Sequence, residues 1–375
     1  MKFVGLRVGN KRWKVDFVLL FAVLFLVAFG VLMVYSASFY SAGLTYNDPY
    51  FFMKKQLFGA ILGFVGLVAM YFIDYQKLAK LKWIGLGISV VLLALVFVPG
   101  LGVKVYGATR WINLGVTTIQ PSEIAKFGFV LFASCSLCEA KRKVKSFKGV
   151  LPSILAGGLI CCLIILEPNM SITICTGVSL VAMLFVGGAR FKDFCKLAIP
   201  VIVLIPLLII AEPYRLRRLV AFADPFASAS GEGFQLVQSL YALSSGGLTG
   251  VGLFNSRQKY LFLPFAESDF IFSIIAEEFG FVGSVGLVLV FGIVIVRGIM
   301  IAVKSTTRFG CYLATGITTI IAVQFVLNLC VCSGLVPPTG LPLPFISAGS
   351  TSLVVFMSAV GVLLNIDRQT RKTKI

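Results

Sequence analysis

Ten long apolar runs constrain this chain more than any other feature. They fall at roughly 17–36, 57–74, 84–99, 122–138, 150–166, 170–187, 194–211, 270–296, 310–333 and 346–366. Most are near the ~20 residues a helix needs to cross ~30 Å of hydrocarbon. In lipid, each backbone N–H and C=O must find its partner within the protein, so such runs fold as helices. The 375 residues are 58% hydrophobic and 13% charged, more apolar surface than a soluble domain of this size can bury. The expected fold is all-α: one polytopic membrane domain over residues 1–375 with ten transmembrane helices. A long loop, about 212–269, separates the seventh and eighth. The first run is too long for an ordinary signal-peptide core, so it is expected to stay as an anchor.

Loop charge sets the orientation. The chain carries 33 Lys and Arg against 15 Asp and Glu, for a net charge of +18. The basic residues do not form a nucleic-acid footprint, because they sit in short runs between apolar spans. Twenty-three of them lie at the N-terminus (Lys2 to Lys14), in alternate loops and at the C-terminus, and ten lie on the opposite side. The positive-inside rule therefore predicts that both termini are cytoplasmic. Asp48, Glu123, Glu167, Glu212, Asp224, Glu232, Glu267 and Asp269 then fall on the outer side. Carboxylate chemistry, if there is any, is expected outside.

The chain has no histidine, which excludes a Ser-His-Asp triad, a His base and His-liganded zinc. The nine cysteines lie in or beside apolar spans, and the Cys135-x-x-Cys138 pair reads as packed core thiols rather than a redox or metal site.

The strongest candidate is Leu263-Pro264-Phe265-Ala266-Glu267-Ser268-Asp269-Phe270, which closes the long loop and opens the eighth span. Asp269 is expected at the outer lip, where a carboxylate can take a proton from a lipid-anchored substrate. The second candidate is Gly107-Ala108-Thr109-Arg110-Trp111-Ile112-Asn113-Leu114-Gly115 with Gln120-Pro121-Ser122-Glu123-Ile124-Ala125-Lys126. Pro121 suits the first turn of a helix, and Glu123 and Lys126 then share a face at i, i+3. That pair reads either as self-neutralising or, with Arg110, as positive charge for an anionic headgroup.

Glu167-Pro168-Asn169 reads as a turn, and Tyr214-Arg215-Leu216-Arg217-Arg218 as an amphipathic helix in the headgroup layer. Gly233 to Tyr241 reads as a segment dipping into the membrane against protein. Gly246 to Gly252 reads as a flexible glycine-rich run, and Glu277 and Glu278 as interior carboxylates bonded to neighbouring helices or protonated. The four prolines from Pro337 to Pro344 forbid regular helix, so that stretch is expected to line a cavity.

These segments, in this order, resemble the SEDS family of cell-wall polymerases (FtsW, RodA and SpoVE). Ala223-Asp224-Pro225, Gly233 to Ser239 and Ser256-Arg257-Gln258-Lys259-Tyr260 look more like FtsW or SpoVE than RodA. The resemblance implies polymerisation of lipid II, an undecaprenyl-pyrophosphate-linked disaccharide peptide, on the outer membrane face. It also implies a class B penicillin-binding protein as transpeptidase partner, other divisome proteins nearby, and a place at the division septum. It maps the family's loop aspartate onto Asp269 as catalytic base. Arg110, Gln120, Glu123, Lys126 and Lys259 become the expected substrate-binding set, with the basic members or a divalent cation such as Mg²⁺ or Mn²⁺ neutralising the leaving pyrophosphate. No metal-ligand cluster of recognisable spacing is present.

Three departures from the family pattern stand out. Asn169 replaces an aspartate, Ala348 replaces a tyrosine, and Phe265 replaces a frequent glutamate. The rival class is a lipid II flippase, which needs a polar path from the cytoplasmic side. A scaffold without catalysis predicts no essential outer carboxylate. Sporulation or elongation are the alternative settings for the same polymerase.

Overall fold

The computed structural model describes residues 15–105, 108–113, 118–210, 213–229 and 231–373. The basic run Lys2 to Lys14, together with Gly107, Leu114, Gly115 and Glu212, lies outside the described residues. Every one of the ten apolar runs is helical. The first three are α1 (Phe17–Tyr46), α2 (Phe51–Phe72) and a pair of helices, α3 (Tyr75–Leu78) and α4 (Lys82–Leu95), joined by a 3₁₀ turn. After three short strands come α5 (Pro121–Ala140), α6 (Phe147–Leu166), α7 (Met170–Gly187) and α8 (Phe191–Ile210). The long loop holds α9 (Pro213–Ala223) and α10 (Phe234–Ser245), and α11 (Ile271–Lys304), α12 (Arg308–Cys332) and α13 (Ser350–Thr373) complete the chain. Among the described residues, eight helical segments are long and apolar enough to cross a membrane. α5 and α8, at 20 residues each, match the two remaining runs.

The helices begin and end where local chemistry dictates. Asp16 caps α1 by accepting from the Leu19 amide at 3.2 Å, and Thr307 caps α12 by accepting from Gly310 at 3.0 Å. Pro121 occupies the first turn of α5, where its missing N–H costs nothing. Several of the long helices, such as α1, pack one face and leave an apolar face exposed. Leu19, Val23, Leu26 and Met33 of α1 are buried, whereas Phe17, Phe21 and Phe25 are more than half exposed. That is the pattern of a helix between protein and lipid. α2 and α13 approach closely through small residues: Gly59 meets Ser350, Gly63 meets Met357, and Gly361 meets the Leu67 carbonyl. Close backbone packing of this kind replaces hydrophobic burial as the glue between membrane helices.

Two features depart from the expectation of helices joined by loops. The outer segment after α4 is a three-stranded antiparallel sheet, β1 (Gly102–Val105), β2 (Ala108–Asn113) and β3 (Thr118–Ile119). Val103 pairs with Trp111 and Lys104 with Thr109, so Arg110 is the extra residue of a β-bulge. Bulges bend a strand and re-aim the side chain at the bulge.

The second departure is that α11 is broken at Gly280 (φ 65°, ψ −163°), and the glycine-rich run is the splint rather than a flexible linker. The break leaves carbonyls and amides of α11 without intrahelical partners. Val251 and Gly252 donate to the Glu277 and Glu278 carbonyls, both at 3.0 Å. Phe281 and Val282 donate to the Gly247 and Leu248 carbonyls at 2.9 and 3.1 Å. Only glycine permits this approach, since a methyl group on Gly250 would lie 2.1 Å from the Glu278 carbonyl oxygen.

Candidate active site

A cavity of about 980 Å³ opens where α2, the small sheet, α9, the end of the long loop and the proline-rich stretch converge. Its size is at the upper end of small-molecule clefts. Lys55, Arg110, Arg218, Glu232 and Asp269 are its charged lining residues.

Asp269 is held by its own backbone. Three successive carbonyls, ending with its own, each receive a donor: Glu267 from the Ala348 amide (2.9 Å), Ser268 from the Ser347 hydroxyl, and Asp269 from the Asn328 side-chain amide (2.8 Å). Its carboxylate accepts from the Ser268 hydroxyl at 3.3 Å. A methyl group placed on Gly340 would lie 3.4 Å from Asp269 Oδ2 and 3.8 Å from Arg110 Nη1. The carboxylate and the guanidinium therefore converge over one glycine, whose φ of +70° is a conformation that side-chain-bearing residues rarely adopt. Burial raises the Asp269 pKa above the usual carboxylate range, opposed by the Ser268 hydrogen bond and by the charges of Arg110 and Arg218. Glu267 is raised in the same way by burial, with the nearby Asp269 adding to it.

Arg110 is aimed from the bulge in β2 and anchored to the turn between α6 and α7. Its Nε donates to the Glu167 carbonyl at 3.3 Å and its Nη2 to the Pro168 carbonyl at 2.5 Å. The Glu167 side chain is wholly buried, and neither carboxyl oxygen has a protein partner. Burial pushes its pKa up to about 8, with Arg110 pulling the other way. A neutral Glu167 leaves the charge of Arg110 directed at the cavity.

The proline-rich stretch is held by side chains from four helices. Its prolines lack the N–H groups that would make regular structure, so its carbonyls take donors from outside. Arg218 of α9 serves Pro338 (3.0 Å), and Ser171 of α7 serves Thr339 (2.7 Å). Asn328 and Gln324 of α12 serve Leu341 (2.7 Å) and Pro342 (2.9 Å), and Gln56 of α2 serves Ile346 and Ser347.

Of the residues expected in the site, Asp269, Arg110 and Gln120 line the cavity. Glu123, Lys126 and Lys259 do not: the structure places them buried, away from the cavity lining. Glu123 and Lys126 are fully buried and bonded to each other at 2.9 Å. Lys126 also donates to Gln324 (2.6 Å), and Glu123 accepts from Ser352 (2.9 Å). The pair joins α5, α12 and α13 beside the cavity lining. Lys259 is also buried, within 3.0 Å of Glu278, 3.3 Å of the Ser36 hydroxyl, and over the Phe39 ring. Glu277 accepts from the Ser256 hydroxyl and from the Arg257 amide (3.0 Å). The two adjacent glutamates thus clamp the Ser256–Lys259 segment to the broken helix, and their partners lie in the loop and in α1.

The departures from the family pattern are accommodated locally. Asn169 caps α7 by accepting from the Ile172 amide, while Ala348 and Phe265 both line the cavity. Sequence reasoning missed Lys55, Gln56, Arg218, Gln324 and Asn328. For Arg218 the signal was present, three arginines on the outer side against the charge trend. For the amides it was a hydrogen-bonding side chain in an apolar run. Among the described residues no three His, Cys, Asp or Glu side chains gather as a metal site.

Comparison with known proteins agrees with this architecture. Residues 17–372 match the family described as cell cycle protein, FtsW/RodA/SpoVE. The chain is 38% identical to stage V sporulation protein E of Bacillus subtilis, covering 96% of this chain and 99% of that protein. It is 37% identical to the probable peptidoglycan glycosyltransferase FtsW of Trichlorobacter lovleyi, covering 94% and 93%. Among solved structures, a chain of a peptidoglycan synthase complex coordinating polymerization and crosslinking superposes with a TM-score of 0.76, at 28% identity over 96% of this chain and 99% of that one. The rod shape determining protein RodA of Thermus thermophilus gives 0.68, at 26% identity over 95% and 98%. The chain belongs to the FtsW/RodA/SpoVE family, the SEDS proteins.

Proposed function

We propose that this multi-pass membrane protein is a peptidoglycan glycosyltransferase that polymerises lipid II on the outer face of the cytoplasmic membrane. The observation that carries the reading is the convergence of Asp269 and Arg110 over Gly340 inside the cavity. Asp269 takes the proton from the GlcNAc 4-hydroxyl of one lipid II as its oxygen bonds to the anomeric carbon of the growing chain. The bond from that carbon to undecaprenyl pyrophosphate breaks, and the leaving group departs with its electron pair. A single displacement converts an α-linked donor into a β-linked product. A base with a raised pKa is suited to this proton transfer. Arg110 and Arg218 supply fixed positive charge for the pyrophosphate.

The wider setting belongs to the same proposal. The helices make ten crossings with both termini cytoplasmic. A class B penicillin-binding protein crosslinks the product, and the complex works at the division septum. The likeness to a sporulation protein supports sporulation as a second setting, which fluorescent localisation in dividing and sporulating cells distinguishes. The test of the chemistry is glycan-chain formation from purified lipid II in detergent, where there are no sides to transport between. Asp269→Asn is expected to lose roughly 10²–10⁴-fold in rate while remaining folded. An Asp269→Asn protein that polymerises at the parental rate ends the assignment.

A further inference from the structure

We propose that Asn328 is a positioning residue that sets both Asp269 and the glycine beneath its carboxylate; the inference rests on Asp269 being the base. α12 presents Gln324, Asn328 and Cys332 at i, i+4 and i+8, on one helix face. All three are fully buried. A primary amide in an apolar bundle is unfavourable unless its hydrogen bonds are made.

Asn328 makes them. One Nδ2 hydrogen goes to the Asp269 carbonyl at 2.8 Å and the other to the Leu341 carbonyl at 2.7 Å. Cys332 adds a longer thiol contact to the same Asp269 carbonyl at 3.7 Å. Leu341 follows Gly340, the residue on which Asp269 and Arg110 converge. One planar amide therefore spans the two segments whose separation defines the site.

The chemistry of the position is narrow. Leucine fills similar space but removes the Leu341 carbonyl's amide donor and leaves the Asp269 carbonyl only the long thiol contact. Serine has one donor, and aspartate sets a negative charge against two carbonyl oxygens. Gln324 repeats the device one turn away, donating to Pro342 and accepting from Lys126, but it does not touch Asp269. Within the row, Asn328 is the member that joins the aspartate to the proline-rich stretch.

The experiment measures lipid II polymerisation in detergent by the parental protein, Asn328→Leu, Asn328→Ser and Asp269→Asn. Rates are normalised to the folded fraction from size exclusion. A misplacement of about 1 Å costs on the order of 10²-fold in rate. Asn328→Leu is expected to lose roughly 30- to 100-fold in kcat, with KM for lipid II within about threefold of parental. Asn328→Ser, keeping one donor, is expected to lose less, and it carries the test if the leucine variant does not fold. The acid limb of the pH–rate profile is expected at lower pH in both, because a loosened Asp269 gains water.

A kcat within about threefold of parental, or a loss of folded protein with kcat and pH limb unchanged, overturns the inference and leaves Asn328 a packing residue. Parental activity in Asp269→Asn overturns the base assignment and this inference together. An inactive Asp269→Asn beside a fully active Asn328→Leu overturns the positioning role alone.

Discussion

Replacing Glu167 by glutamine tests whether a proton, rather than a charge, is stored behind Arg110. The folded protein holds this carboxyl with a pKa of about 8, against 4.5 for the free side chain, chiefly through burial. Between those two pH values the folded state binds a proton that the unfolded state has lost. Stability therefore falls as pH rises from about 4.5 to about 8, and is flat on either side of that window. At 1.36 kcal/mol per pKa unit, the shift corresponds to roughly 5 kcal/mol lost across the window as an upper bound. Glutamine has nearly the same shape and does not titrate. The difference in stability, Glu167→Gln minus parental, should start near zero at pH 5 and grow in favour of glutamine toward pH 8.

Thermal unfolding of both proteins in the same detergent at pH 5, 6, 7 and 8 reads this difference. Other raised carboxyls, such as Glu267 and Asp269, cancel because both proteins contain them. The same logic reaches activity. Once Glu167 ionises it becomes a counter-charge for Arg110, so the parental rate should fall above pH 8 while the glutamine variant holds its rate. A stability difference that is constant across pH would refute the stored proton.

Gly250→Ala forces a methyl group to 2.1 Å from the Glu278 carbonyl at φ +84°. It should destabilise the protein by about 1–3 kcal/mol from the backbone conformation alone and slow polymerisation, both read from melting and turnover. Lys126→Met leaves the buried Glu123 carboxylate without its partner and should cost roughly 3–5 kcal/mol, whereas the double variant Glu123→Gln, Lys126→Met should recover most of that loss. Normal melting of Lys126→Met with a raised KM for lipid II would return Lys126 to the substrate-binding set.

The helices were legible because length and apolarity are enough to specify them in a bilayer. The small sheet was not, since strands of 4, 6 and 2 residues carry too little alternation to stand out between two apolar runs. Asp269 and Arg110 were found from outer-side charge, a property of position along the chain. Lys126 and Lys259 were grouped with them for the same reason, and the structure buries both. A lysine near the outer surface reads alike whether it faces a cavity or a partner, and Lys126 meets Gln324 198 residues away. The glycine-rich run read as flexible because nothing local shows that its carbonyls and amides complete a helix broken some thirty residues later.

These errors share a physical cause that also explains how the site works. A bilayer tolerates irregular backbone only where protein or water satisfies it, yet the proposed lipid-linked substrate calls for loops at that depth. Here most of the donors are uncharged, with Arg218 on the Pro338 carbonyl as the charged exception. Gln56, Ser171, Gln324, Asn328 and Ser347 serve carbonyls of the proline-rich stretch and the Asp269 loop, and the glycine-rich run serves the break in α11. Amides and hydroxyls can do this without adding charge to the cavity. The buried lysines are matched by glutamates and so add none either. Among the described residues the cavity then presents Lys55, Arg110 and Arg218 against Glu232 and Asp269, a positive excess that suits the proposed pyrophosphate leaving group. Substituting arginine or lysine for the scaffold amides would supply the same carbonyls with donors, but would place uncompensated charge beside the base. With Asp269 as the proposed base, the neutrality of the amides nearest it matters to catalysis alongside its own charge.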